Sequence, residues 1–115
     1  MRPCFLQYAL SVEAEATLLM WFSLRSPDLA EDFERLMATD RDVVLGSLDT
    51  MSEYRLARPS GVPGQAHDSA DYVLIAEIHN VERWEQQAAE RVESLQDDLA
   101  HLVSSRKMLV LHRIL

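Results

Sequence analysis

The sequence predicts an α+β domain, a ferredoxin-like sandwich in the order β-α-β-β-α-β. Three observations predict it. The chain has 115 residues, the length of one domain. Short bulky apolar runs and helical stripes follow one another as strand, helix, strand, strand, helix, strand. The two halves of that pattern are similar in size and are joined by a single loop rich in proline and glycine.

Ala16–Leu24 (ATLLMWFSL) is short and bulky, as a buried strand is. Ser26-Pro27 follows, an N-cap with proline at the first helical position. Asp28, Glu31 and Asp32 then fall where a helix dipole favours negative charge. Leu29, Phe33, Leu36 and Met37 share one helical face, so a helix is expected to about Ala38. Asp40 is positioned to cap a further short turn, Arg41–Leu45, ended by Gly46. A second strand is expected over Leu48–Ala57, with Arg55 and Arg58 pointing outward or into a polar site. Arg58–Asp68 (RPSGVPGQAHD) holds two prolines and two glycines and reads as a long loop, expected to be mobile and of the kind that forms lids. Asp71–His79 (DYVLIAEIH) is the clearest strand, and Asn80 then caps the longest helix. Trp84, Ala88, Val92, Leu95, Leu99 and Leu102 form its apolar stripe, with Glu82, Glu85, Glu90, Glu93 and Asp97 away from it. Lys107–Leu115 (KMLVLHRIL) is the last strand.

These strands are apolar on both sides. Trp21, Val73, Ile75, Leu109 and Leu111 alternate with Met20, Phe22, Leu74, Ile78, Met108 and Val110. Two helices cover only one face of such a sheet, and a bare apolar face does not stay in water. A second copy of the chain, related by a twofold axis, is the expected cover.

Composition narrows the partners. Nineteen acidic side chains against eleven basic ones give a net charge of −8. That balance repels nucleic-acid phosphates and disfavours anionic membranes. Cys4 is the lone cysteine, which fits a reducing, cytoplasmic setting. No apolar run approaches the ~18 residues of a membrane span. At the N-terminus, Arg2 and the apolar stretch Cys4–Val12 resemble a signal peptide only weakly. Gln7 and Tyr8 interrupt the stretch and Glu13 and Glu15 follow it, so residues 1–15 are expected to be an extension before a single domain over residues 16–115.

Two segments carry a resemblance to a known family. They are DFERLMATDRDVVLGSLDTMSEYRLAR (Asp32–Arg58) and DYVLIAEIHNVERWEQ (Asp71–Gln87). With them the chain, over residues 16–115, resembles the dimeric α/β barrel superfamily, and within it the RedY-like (HapK-type) proteins of prodiginine and bisindole pigment pathways. Where that family typically reads DYVEVIEV, this strand reads DYVLIAEI. Leu74 therefore stands at an acidic position of the family, while Glu77 is kept. The resemblance implies a homodimer with a pocket in each subunit between sheet and helices. It also implies a role in secondary-metabolite biosynthesis, on a reactive pyrrole or indole intermediate and without a cofactor.

The candidate catalytic residues are His79 and Glu77. They alternate on the third strand, so both point to one face, and a carboxylate that orients an imidazole makes a general acid–base unit. The plainer reading is two polar residues at a strand end. Trp84, one turn into the next helix, is the candidate wall of an aromatic pocket near His79, or else simple core. Tyr54 and Arg55 offer a phenol and a carboxylate-binding fork, and His112 is a further candidate if it faces the helices. His67, Asp68 and Asp71 match no strong metal-ligand spacing, so no metal is expected. No hydrolase elbow, phosphate loop, dinucleotide fingerprint or C-x-x-C stands in the chain. Three readings stay open: a cofactor-free enzyme of cyclisation, condensation or decarboxylation/dehydration; a cofactor-free monooxygenase; and a non-catalytic protein that shelters an aromatic intermediate.

Overall fold

In a computed structural model, which describes residues 14–60 and 70–115, the chain forms one four-stranded antiparallel sheet with two helices on one face. The elements are β1 (Ala16–Leu24), α1 (Ala30–Ser47), β2 (Met51–Ala57), β3 (Tyr72–Ile78), α2 (Val81–Leu102) and β4 (Val103–His112). The strand order is β2-β3-β1-β4. Each helix thus crosses over one strand to reach the next but one, the split β-α-β arrangement expected from the order of elements. Most of the N-terminal extension, and the Pro/Gly loop from Gly61 through residue 69 with His67 and Asp68, lie outside the described residues. So do the side chains of Glu90, Val92 and Glu93.

The two faces of the sheet separate as the apolar alternation predicts. Tyr72, Leu74, Ala76 and Ile78 of β3 are buried beneath the helices, as are Ala16, Leu18 and Phe22 of β1. Phe33 of α1 packs its ring on Phe22 at 5.2 Å and on Tyr72 at 4.7 Å, which pins α1 to that face. Trp84, Ala88 and Leu99 bring the α2 stripe into the same core. The opposite face is open, and three rows of side chains cross it. The first is Leu109, Leu19, Ile75 and Arg55, the second Lys107, Trp21, Val73 and Ala57, the third Leu111, Thr17, Glu77 and Ser52.

The N-terminus of α2 is capped by Asn80, as the sequence suggests, and is tied further by Glu15. Asn80 accepts from the backbone N–H of Arg83 at 3.0 Å, and the Glu15 carboxylate accepts from the N–H of Val81 at 3.0 Å. Ser26 accepts from Asp28, but the turn it caps, Pro27–Leu29, is a 3₁₀ turn that leads into α1.

Three expectations are corrected. The helix expected to end near Ala38 runs unbroken to Ser47. Asp40 is no cap, and Gly46 is no terminator. Asp40 is buried, and its carboxylate is spent on partners far along the chain, leaving the backbone free to continue helical. Strand β2 begins at Met51, later than Leu48, which serves as the extended residue closing α1. Strand β4 begins at Val103 and ends at His112 in place of Lys107–Leu115. The polar Val103–Arg106 stretch still pairs with β1, because ladder hydrogen bonds use only the backbone.

One irregularity shapes the site. The β2–β3 register shifts between Ser52 and Arg55, and Glu53 takes a left-handed φ of 55°. This bulge carries the exposed Glu53 as the extra residue and turns Tyr54 inward, toward α1.

Candidate functional site

On α1, Glu34, Met37, Ala38 and Arg41 follow the i, i+3, i+4, i+7 spacing of one helical face. That face stands over Tyr54 and Leu56 of β2 and Tyr72 of β3. Because β2 is an edge strand, the space between is open at the side of the sheet. The result is a cleft of about 350 Å³ with aromatic, aliphatic and charged walls.

A polar cluster closes one end. The Tyr72 hydroxyl donates to Glu34, and Arg58 donates to Glu34 at 2.7 Å and to the Tyr72 oxygen at 3.4 Å. The Arg58 guanidinium also lies over the Tyr72 ring, 5.5 Å from its centroid. Glu34 is held below its ordinary carboxylate range, first by the Tyr72 hydrogen bond and then by Arg58. Tyr72 is pushed up, by burial first and then by donation to Glu34. Arg58 is pushed up by Glu34.

Behind the cleft lies a second cluster. Tyr54 donates to Asp40 at 2.6 Å, and Arg91 of α2 donates to both Asp40 oxygens, at 2.9 and 2.7 Å. Burial raises the Tyr54 phenol strongly and Asp40 adds to this, while Arg91 and Arg41 act in the opposite direction. This cluster joins α1, β2 and α2 and borders a small inner cavity of about 30 Å³ that Met37 separates from the cleft.

Tyr54 is the predicted site residue that the cleft contains. His79 and Glu77 share a face, as alternation requires, but it is the open face of the sheet. There Glu77 accepts from Thr17 at 3.1 Å, and His79 Nε2 lies 2.7 Å from the Ser52 hydroxyl. His79 Nδ1 is buried with no hydrogen-bond partner among the described residues. His79 and Glu77 therefore face away from the sheet–helix pocket that the resemblance implies, which corrects their placement as its catalytic pair. The reason is strand parity: Ile78 takes the inward position. Trp84 is on the other side of the sheet, buried in the core with its indole N–H directed at the Met51 sulfur, 3.1 Å away, so it walls no pocket with His79. Arg55 is exposed on the open face opposite Ile75. His112 has the parity of the helix side but ends the edge strand in an exposed hollow with Glu15 and Leu115. Asp71 accepts from the N–H of Leu24 at 2.8 Å.

The topology and the paired faces now meet the solved structures. An Arabidopsis thaliana protein superposes with a TM-score of 0.71 at 8% identity, covering 87% of this chain and 96% of its own. The fold is ferredoxin-like. A dabb family protein with a ferredoxin-like fold from Mesorhizobium loti gives 0.63 at 10% identity, covering 89% and 99%. A Bacteroides fragilis protein of unknown function, described as dimeric and ferredoxin-like, gives 0.59 at 15% identity, covering 85% and 95%. No protein-family model and no curated protein matches the sequence. Among the described residues, no helix is long and apolar enough to cross a membrane.

On this ferredoxin-like frame, sequence reasoning missed Glu34, Arg41, Asp40, Tyr72 and Arg91. One signal was readable. Glu34 and Arg41 flank Met37 on a single helical face, so two opposite charges border a core position.

Proposed function

We propose that this chain is a homodimeric protein of pyrrole- or indole-type secondary metabolism that binds and orients one small aromatic intermediate per subunit, without a cofactor. The observation that carries this reading is the α1–β2–β3 cleft. Its volume of about 350 Å³ lies within the roughly 300–1,000 Å³ of small-molecule sites. Tyr54, Tyr72 and Leu56 give it an aromatic and aliphatic lining, and Glu34 and Arg58 supply the few polar groups such sites place. The RedY-like resemblance supplies the substrate class. The open apolar face, and the dimer described for the Bacteroides fragilis protein, support the second copy.

The chemistry favoured is positioning. Glu34 is shifted down and Tyr72 up, so both move away from neutral pH. Groups poised that way hold and orient a ligand better than they exchange protons with it. Bringing reactive parts of one intermediate together promotes cyclisation or condensation by proximity alone.

Ala38 is exposed and lines the cleft, so Ala38→Trp fills it without entering the core. Calorimetric titration with indole should show binding to the native protein and a loss of at least about tenfold in Ala38→Trp, with circular dichroism unchanged. Equal affinity in a folded variant would overturn the cleft as the site.

A further inference from the structure

We infer that the cleft selects aromatic carboxylates, with Arg41 as the residue that receives the carboxylate. The inference rests on the cleft being the ligand site. Among the described residues, three ionised side chains line it, Glu34, Arg41 and Arg58, one negative and two positive, a balance of +1. The whole chain carries −8. The cleft is thus locally cationic on an acidic protein, and an anionic ligand is drawn to it while repelled elsewhere.

The two cations are not equivalent. Arg58 is engaged by Glu34 and Tyr72. The Arg41 side chain makes no hydrogen bond among the described residues. Its one ion-pair contact is its own chain neighbour, with Nε 3.8 Å from Asp42, and both side chains are more than half exposed. A pair of that length and exposure is weak and exchanges readily for a better-placed carboxylate. Asp42 does not line the cleft, so it takes nothing from the balance of charge among the residues that do.

Geometry sets the orientation of the ligand. Glu34 and Arg41 stand two helical turns apart on one face of α1, with Met37 and Ala38 between them. An aromatic ring fits over Met37, Tyr54 and Leu56. Its carboxylate then meets the Arg41 fork, and its far edge meets the Tyr72–Glu34–Arg58 cluster. Arg41 is close enough to the floor for its charge to act on the Tyr54 phenol. A planar guanidinium suits a carboxylate in a two-bond arrangement, which an ammonium cannot reproduce.

The test uses two probes of nearly the same shape, indole-3-carboxylate and indole-3-carboxamide, in calorimetric titrations of the full chain. The native protein should bind the carboxylate at least about tenfold more tightly than the carboxamide. Arg41→Gln, at a half-exposed position that the fold does not need, should bring the two within about twofold. Added salt should shrink the native preference. Equal binding of the two probes by the native protein, or an undiminished preference in Arg41→Gln, would overturn the inference and leave the cleft standing as a site. Failure of both probes to bind at millimolar concentration would remove the cleft reading, and this inference with it.

Discussion

Asp40 is the only buried charge among the described residues, and its partners account for it. Tyr54 and Arg91 satisfy both of its oxygens. Removing one member of such a buried set leaves the others desolvated and unpaired. Asp40→Ala should therefore cost about 3 kcal/mol, read as a lower urea midpoint at unchanged slope. Tyr54→Phe removes one hydrogen bond and should cost about 1 kcal/mol. The tyrosines give a second residue-scale prediction. Tyr54 and Tyr72 both hold their protons more tightly folded than free. A group with a raised folded pKa contributes stability below its unfolded value and loses that contribution as pH rises through the folded one. In an alkaline absorbance titration both should ionise above the ordinary 10.0 of a free phenol, Tyr54 the later of the two. Normal titration of either in the native protein would contradict the hydrogen bonds described. Little of this was legible in the chain. Asp40 reads locally as a cap, because its partner Arg91 lies 51 residues away. Tyr54 was legible as a polar aromatic on a strand, but the bulge at Glu53 that aims it inward has no glycine to announce it.

At the scale of elements, α1 departs most from its sequence. Gly46 looks like a stop signal, yet it lies within the helix, one residue before its end. A Cβ built there meets nothing within 4 Å. Gly46→Ala should thus stabilise the protein by about 0.5–1 kcal/mol, since alanine is the better helix former and restricts the unfolded chain. A measured loss in thermal unfolding would mean that the end of α1 needs the freedom of glycine. The β1 boundaries, the Asn80 cap and the α2 stripe were readable because each rests on local chemistry, apolar periodicity or a side chain beside its helix. The start of β4 was not. Val103–Arg106 carries two serines and an arginine, and it is a strand because Leu24, Ser23 and Phe22 offer it a ladder. Tertiary pairing overrides propensity in such segments.

For the whole molecule, the open face of the sheet is the governing feature. Leu109 and Leu111 are 46% and 47% exposed in the single chain, and Leu19, Trp21, Val73 and Ile75 lie half-buried beside them. The alternation of apolar residues foretold this face, and the paired registers place its members side by side. The parity of β3 also explains why His79 and Glu77 belong to this face and not to the cleft. A strand buried on both sides places its functional-looking residues by odd and even number, and the sequence does not say which parity meets the helices. In a sheet-to-sheet dimer, the apolar rows of the two copies cover each other, while the Thr17–Glu77 and Ser52–His79 pairs form a polar margin. Leu19→Glu, in the middle of the first row, should place like charges in that interface and dissociate it. The most direct measurement is sedimentation equilibrium of the native chain at micromolar concentration. A sheet-to-sheet dimer gives a species of twice the 13.1 kDa subunit mass, falling to the subunit mass in a folded Leu19→Glu variant. A native chain that sediments at 13.1 kDa across the micromolar range would contradict it.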